Sequence, residues 1–150
     1  MSVRKVVSGG QTGVDRAALD VALTLGLERG GWCPKGRLAE DGRIPDAYPL
    51  QETPTADYAE RTELNVRDSD GTLILTIGPP LGGTAYTIQC AQQLQKPYIV
   101  IDLSQNPAVE EVKRWLTEQH IATLNVAGPR QSQQPQGYEL AHRFLSALLR

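Results

Sequence analysis

Two glycine-rich segments of this 150-residue chain have the composition of anion-binding turns. Residues 8–13 read Ser-Gly-Gly-Gln-Thr-Gly and residues 78–84 read Gly-Pro-Pro-Leu-Gly-Gly-Thr, each between an apolar β-branched run and a predicted helix. A helix start carries unpaired backbone N–H groups and the positive end of the peptide dipoles, so it attracts phosphate and other anions. Glycine lacks the Cβ atom that would keep a ligand away from the backbone. The two segments therefore predict one anionic ligand, bound from both sides.

Neither segment has the spacing of a common nucleotide-binding motif. The first has no Lys-Ser/Thr after its last glycine and no GxGxxG series, which excludes a Walker-type site and disfavours a dinucleotide site. Gln11 and Thr12 add donors that a purely structural turn would not need, and Thr84 can cap the next helix or donate to an anion. The predicted binding residues of the two segments are Gly9, Gly10, Gln11, Thr12, Gly13, Gly82, Gly83 and Thr84.

Other polar side chains are candidates to complete this site. Lys35 follows a predicted strand end, although a mixed-charge loop is as often plain solvated surface. Arg61 and Asn65 share one face of a predicted helix. That face either binds a heterocycle or a carboxylate through the planar guanidinium of Arg61 or is a plain solvated surface. The candidates are Lys35, Arg61 and Arg130 as charge partners, with Gln11, Thr12, Asn65 and Thr87 as hydrogen-bonding side chains.

Catalytic and metal-binding signatures are weak in this sequence. Asp15 lies in the first turn of a predicted helix, where the dipole favours a carboxylate whether or not it is catalytic. His120 and His142 have no partner at ligand spacing, so we predict no metal site. GxSxG and paired Cys–His signatures are absent. Trp32 is the residue best suited to stack on a ring, although core packing is the commoner role of tryptophan. We therefore predict no catalytic residue.

Composition limits the class of protein. Apolar residues make up 40% of the chain, which is typical of a globular protein. The net charge is −2 and the pI is near 5.7, so the chain has no overall positive electrostatic field to attract nucleic acid. No apolar leader and no run of membrane-spanning length is present. We expect residues 1–150 to form a single cofactor- or nucleotide-binding domain in the cytoplasm, with no nucleic acid and no membrane as partner.

The elements that must position these residues alternate between strand and helix. The predicted strands cover residues 3–7, 28–33, 72–77, 97–102 and 122–126, and the predicted helices cover about 13–25, 57–67, 84–95, 106–119 and 137–149. This pattern predicts an α/β, Rossmann-like, doubly wound and mainly parallel five-stranded sheet with helices on both faces. An order of 2-1-3-4-5 in these strands would set the two glycine segments side by side. The polar residues 34–54 are predicted to form a long functional loop.

Several blocks of the sequence together resemble the molybdenum cofactor carrier proteins. The resemblance covers most of the chain up to about residue 102, and Asn-Val-Ala-Gly-Pro-Arg over 125–130 also fits. The blocks are Ser-Gly-Gly-Gln-Thr-Gly-Val-Asp-Arg-Ala-Ala-Leu-Asp (8–20), Gly-Trp-Cys-Pro-Lys-Gly-Arg (31–37), Ala-Glu-Asp-Gly (39–42), Ile-Pro (44–45), Tyr-Ala-Glu-Arg-Thr (58–62), Asn-Val (65–66), Ser-Asp-Gly-Thr-Leu (69–73) and Gly-Gly-Thr (82–84).

The resemblance implies a homo-oligomer, a dimer or tetramer, that binds molybdenum cofactor (molybdopterin) as cargo, protects it and transfers it to molybdoenzymes or receives it from cofactor-synthesis proteins. It also implies a fold similar to that of the "lonely guy" lysine-decarboxylase-like hydrolases and DNA-processing protein A. The hydrolases carry a glutamate three residues after the threonine of their glycine turn, where this chain has Thr87. That difference favours a carrier over an enzyme.

Two alternatives remain from the sequence. One is a phosphoribohydrolase-like enzyme acting on a nucleotide-derived ligand, with Asp15, Glu40 and Asp41 as the candidate acids or bases. The other is a nucleotide-sensing module that acts through a protein partner.

Overall fold

The computed structural model describes residues 3–150. Within that range the strands are β1 (Lys5–Val7), β2 (Glu28–Gly30), β3 (Trp32–Cys33), β4 (Leu38–Ala39), β5 (Gly42–Arg43), β6 (Gln51–Glu52), β7 (Gly71–Thr76), β8 (Tyr98–Asp102) and β9 (Thr123–Ala127). The α-helices are α1 (Val14–Thr24), α2 (Tyr58–Arg67), α3 (Gly82–Gln93), α4 (Glu110–Glu118) and α5 (Gly137–Leu149). The predicted boundaries of α5 match the structure.

Five strands form a central parallel sheet in the order β2-β1-β9-β7-β8. The predicted parallel α/β sheet is therefore confirmed, but the predicted order of its strands is wrong. The last strand, β9, lies between the first and third strands and pairs with both, with Lys5 opposite Thr123 and Leu73 opposite Val126. Burial agrees with this order, because Leu124 and Val126 of the central strand β9 are inaccessible to solvent whereas Val100 of the edge strand β8 is 38% exposed.

Helices cover both faces of this sheet. On one face, α1, α4 and α5 bury apolar side chains against β7 and β9, including Ala18, Leu116 and Leu145. On the other face, α2 and α3 pack together around Val66 and Cys90. Asp57 caps α2, since its carboxylate accepts a hydrogen bond from the Ala59 amide at 2.9 Å. No helix within residues 3–150 is long and apolar enough to span a membrane.

Residues 34–54, predicted as one long loop, contain short strands. They contain the antiparallel pair β4–β5, and β6 pairs with β3. The buried guanidinium of Arg37 organises the segment by donating hydrogen bonds to four backbone carbonyls, those of Ile44 (3.1 Å), Pro45 (2.7 Å), Tyr48 (2.8 Å) and Leu50 (3.3 Å). A side chain thus replaces the backbone ladder that a larger strand pair would supply.

Two further boundaries differ from the prediction. The predicted strand 28–33 is divided into β2 and β3 at Gly31, whose φ of +128° breaks the extended conformation. The fourth helix begins at Glu110 instead of near residue 106, because a short 3₁₀ turn at Leu103–Gln105 ends with Asn106 in the left-handed region at φ +50°. Asn106 therefore terminates one turn and does not cap α4.

Candidate functional site

A cavity of about 390 Å³ opens at the carboxyl ends of β1 and β9, the edge where parallel α/β sheets bind ligands. Both glycine-rich segments contribute to its wall, even though β9 lies between the strands that precede them. The starts of α2 and α3 and the segment after β9 complete it. Its predicted lining residues are Gly9, Gln11, Arg61, Asn65, Gly82, Gly83, Thr84, Thr87 and Arg130.

The start of α3 is open toward this cavity. Leu81, the residue before the helix, provides no side-chain cap, so the amides of Gly82 and Gly83 have no partner within the helix. A Cβ atom built on Gly83 would meet nothing within 4 Å, and the φ of this residue is not positive. Neither packing nor backbone conformation therefore requires glycine at position 83. The bare backbone leaves free space next to the positive end of a helix.

The start of α1, in contrast, is occupied by the protein itself. The Val14 amide donates to the Pro129 carbonyl at 3.4 Å, and a Cβ on Gly13 would lie 2.6 Å from that same oxygen. Gly10 faces the side chain of Leu50, which a Cβ would approach to 2.4 Å. The Thr12 hydroxyl donates to Glu40 and accepts from the Gln131 amide. Gly10, Thr12 and Gly13 consequently lie outside the cavity wall and hold neighbouring segments.

Arg61 is the most firmly positioned charge in the cavity wall. Its Nη1 donates to the Gly9 carbonyl at 3.1 Å, its Nε donates to Thr62 Oγ1 at 3.3 Å, and its guanidinium lies 5.3 Å from the centre of the Tyr58 ring. A Cβ on Gly9 would lie 2.1 Å from Arg61 Nη1, so glycine is required at position 9 for this arginine to approach the backbone. Three contacts therefore fix the guanidinium before any ligand arrives.

Asp15 lies beside Arg61 and also lines the cavity. Its Oδ2 accepts a hydrogen bond from the Gln11 amide at 3.1 Å and lies 3.7 Å from Arg61 Nη1. Burial raises the pKa of Asp15 to about 6 from 3.8, and the positive charge of Arg61 offsets part of that rise. A buried carboxylate that titrates near neutrality is a functional candidate, although Asp15 also shapes the first glycine segment.

Arg130 approaches the cavity from the segment after β9. Its Nε lies 3.5 Å from Glu40 Oε1 without forming a hydrogen bond, and within residues 3–150 this atom is buried with no hydrogen-bond partner. Hydrogen bonds from Ser132 and Thr12 hold the pKa of Glu40 below its ordinary value. A buried donor without a partner costs free energy, so Arg130 is suited to an additional acceptor.

The remaining predicted side chains have structural partners or lie elsewhere. Asn65 lines the cavity, but its amide exchanges hydrogen bonds with the backbone of Trp32 at 2.8 and 3.0 Å. The Thr87 hydroxyl donates to the Gly83 carbonyl at 2.9 Å within α3. Lys35 is exposed and outside the cavity lining. The Trp32 ring is also outside it and donates its indole N–H to Asp68 at 2.9 Å.

The other carboxylates proposed as acids or bases are engaged outside the cavity. Asp41 forms a two-pronged ion pair with Arg16, with N–O distances of 2.7 and 2.9 Å, which holds the pKa of Asp41 below its ordinary value. Glu40 bridges Thr12 and Ser132. Neither lines the cavity, so Asp15 is the only carboxylate in its wall among the residues described. Within residues 3–150 no three His, Cys, Asp or Glu residues cluster as metal ligands.

Sequence reasoning missed several residues that line the cavity, including Tyr86, Asn125 and Gln133. Tyr86 could have been found, because it follows Gly82 and Gly83 by four and three positions and so shares their face of α3. Asn125 is a polar residue in the middle of a mainly apolar strand, which is also a recognisable signal. Gln133 lies in a Gln-rich segment that offers no such pattern.

Comparison with known proteins identifies the family to which this chain belongs. Residues 6–149 match the model of the circularly permutated YpsA SLOG family, and the chain belongs to that family. A crystal structure from Syntrophus aciditrophicus SB, of a protein named "putative molybdenum carrier protein", is 48% identical in sequence. The matched region covers 99% of this chain and 96% of the relative's chain, and the TM-score of the two structures is 0.95. No curated protein matches the chain.

Proposed function

We propose that this protein binds molybdenum cofactor in the cavity between α2 and α3 and carries it as cargo. The observation that carries the proposal is the joint lining of one cavity by the open start of α3, Arg61 and Arg130. The name of the relative from Syntrophus aciditrophicus supports a molybdenum-related ligand. A volume of about 390 Å³ lies within the range of roughly 300–1,000 Å³ that is typical of small-molecule sites.

The charges of the wall suit an anionic cargo. Arg61 and Arg130 each contribute a positive charge, and Asp15 contributes the only negative charge from the described residues of the lining. The cofactor carries a terminal phosphate and an oxo-metal group, both of which are anionic. Guanidinium groups bind such oxygens through two parallel N–H donors, and backbone amides at the start of α3 add neutral donors.

Carriage is favoured over hydrolysis because the cavity has few groups able to move a proton. Thr87 stands where related hydrolases have a glutamate, and its hydroxyl is engaged within α3. One observation favours the hydrolase alternative, namely the pKa of about 6 of Asp15, which suits a general acid or base. Incubation with nucleoside monophosphates separates the two functions, since turnover that Asp15→Asn abolishes would establish an enzyme.

The decisive test compares two variants at one position. The wild-type protein, loaded with molybdenum cofactor under anaerobic conditions and freed of excess, is expected to retain molybdenum and pterin together. Gly83→Asp introduces a carboxylate where a Cβ has free space, so the protein should fold but lose most of the cargo. Gly83→Ala adds the Cβ without the charge and is expected to keep more cargo. Equal retention by both variants would contradict binding at the start of α3.

Transfer of the cargo to molybdoenzymes, and a homo-oligomeric state that protects it, are further parts of this proposal. Mixing loaded protein with a cofactor-free molybdoenzyme tests transfer, because activation of the enzyme without free cofactor requires direct delivery. Light scattering of the purified protein tests the oligomeric state.

A further inference from the structure

The cavity wall contains two aromatic rings that anion binding alone does not require. Tyr58 lies at the start of α2 and Tyr86 in the second turn of α3, and both line the cavity. Tyr58 is 37% exposed, although its ring is large and mainly apolar. Aromatic side chains in a concave site usually contact the ligand, because leaving them hydrated forgoes the burial of a large apolar surface.

Both rings are held in place without a ligand. The Arg61 guanidinium lies 5.3 Å from the centre of the Tyr58 ring, and Arg61 is itself bonded to Gly9 and Thr62. Tyr86 packs against the apolar cluster of Val66, Cys90 and Ala91. Rings that are already oriented lose little conformational entropy when a ligand stacks on them.

We propose that Tyr58 and Tyr86 form a stacking surface for a planar heterocycle, so that the cavity takes a fused-ring compound bearing an anionic group instead of a bare oxyanion. This inference rests on the proposed function and assigns the pterin portion of the cargo to these two residues. A bare molybdate ion has no flat apolar surface, so neither ring can stabilise it. A pterin offers two such faces, and stacking on an aromatic ring buries them with little demand on hydrogen-bond geometry.

Arg61 connects the ring surface with the anion-binding part of the wall. Its Nη1 and Nε are bonded to Gly9 and Thr62, whereas Nη2 makes no hydrogen bond to another residue within 3–150. One guanidinium can therefore lie against Tyr58 and still donate to an acceptor on the ligand. A ligand needs a planar ring to contact the tyrosines and an anionic group to accept from Arg61. A ligand with only one of these features makes only part of the contacts and should bind more weakly.

The test measures the Kd of neopterin monophosphate from quenching of its fluorescence, and the Kd of molybdate by calorimetry. Wild-type protein is expected to bind the pterin phosphate more tightly than molybdate. Tyr58→Ala and Tyr86→Ala are each expected to raise the pterin Kd by roughly 5- to 100-fold, the effect of removing one stacking ring from under a nucleobase. Tyr58→Phe and Tyr86→Phe keep the ring and are expected to raise the pterin Kd less than the alanine variants do. Tyr98→Ala removes a ring outside the cavity lining and is the control that should bind normally.

Each result bears on the proposal. Unchanged pterin binding by folded Tyr58→Ala and Tyr86→Ala would overturn the stacking surface while leaving the carrier function intact. Molybdate binding as tight as pterin binding would also overturn it. Failure of the wild-type protein to bind both the pterin phosphate and the loaded cofactor would overturn the carrier function and this inference together.

Discussion

The Nη1 atom of Arg61 lies 3.7 Å from Oδ2 of Asp15, and both side chains line the same cavity. The carboxylate lowers the positive potential that Arg61 presents, and Arg61 in turn favours the ionised carboxylate. An anionic ligand that binds the Arg61 guanidinium competes with the Asp15 carboxylate for the positive charge of Arg61. Binding of the cargo is therefore expected to favour protonation of Asp15.

Asp15→Asn is expected to stabilise the protein at neutral pH and not in acid. The pKa of Asp15 is about 6 when folded and 3.8 as an ordinary carboxyl, so the folded state binds more protons between these pH values. Its ionisation therefore lowers the free energy of unfolding as the pH rises from 4 to above 6. The variant should gain up to about 3 kcal/mol over wild type at pH 7.5 and little at pH 4.

Urea unfolding at the two pH values measures this difference. Glu118→Gln makes the same carboxyl-to-amide change at an exposed position at the end of α4 and is the matched control. Its effect on the free energy of unfolding should be within about 0.5 kcal/mol. A gain in stability that is equal at pH 4 and pH 7.5 would mean that Asp15 does not titrate between them.

Arg61→Ala is expected to weaken cofactor binding by roughly 10- to 100-fold, the range of one lost hydrogen bond to a charged group. Arg61→Lys keeps the charge but not the planar fork, so its affinity should lie between those of wild type and alanine. Arg67→Ala removes an exposed arginine of the same helix, paired with Asp68, and should leave binding unchanged. Equilibrium dialysis with loaded cofactor measures all three, and similar losses for Arg61→Ala and Arg67→Ala would contradict a specific role for Arg61.

Gly9→Ala is expected to displace Arg61 and to lower both stability and binding. The added Cβ would lie 2.1 Å from Nη1, so the guanidinium must leave the Gly9 carbonyl. The cost in the free energy of unfolding should be about 1–3 kcal/mol, as for other insertions into filled space. Chemical denaturation and cofactor retention are the measurements. Gly83→Ala, where the Cβ has free space, is the control for stability alone and should not destabilise the protein.

Arg37→Ala is expected to loosen residues 34–54 and to destabilise the protein by about 2–4 kcal/mol, because several carbonyls lose a charged donor. Limited proteolysis should then cut within this segment. Arg43→Ala removes a 60%-exposed arginine of the same segment, paired with Asp46 at the surface, and should cost less than about 0.5 kcal/mol. Resistance of Arg37→Ala to proteases would contradict this role, because it would show that the strand pairs β4–β5 and β3–β6 hold residues 34–54 in place without Arg37.

The sequence predicted local structure well because local structure depends on nearby residues. The apolar spacing in α1 and α5 and the run of β7 indicate their elements directly. The place of β9 could not be read in the same way, because alternation of strand and helix does not say which strands become neighbours. That choice depends on how all the strands and helices pack together, which places β9 and β7 inside the sheet and β8 at its edge.

The sequence predicted those site residues whose role depends on the local backbone, and it failed for those whose role depends on packing against distant parts of the chain. Gly82, Gly83 and Thr84 line the cavity because a helix begins there. Gly10 and Gly13 are also glycines, but the space beside them is filled by the Leu50 side chain and the Pro129 backbone. These contacts come from residues more than thirty positions away in the chain. Composition cannot distinguish a glycine that admits a ligand from one that admits another part of the protein.

The central position of β9 has a consequence for how the chain is made. Residues 3–102 contain the pairs β1–β2 and β7–β8, but no ladder joins them until β9 enters between them. During synthesis from the N-terminus, each pair exposes an unpaired edge until residues 123–127 emerge, and such edges are sites of aggregation. Premature termination before β9 should therefore yield insoluble chains, whereas a chain that includes β9 can join the two strand pairs into one sheet.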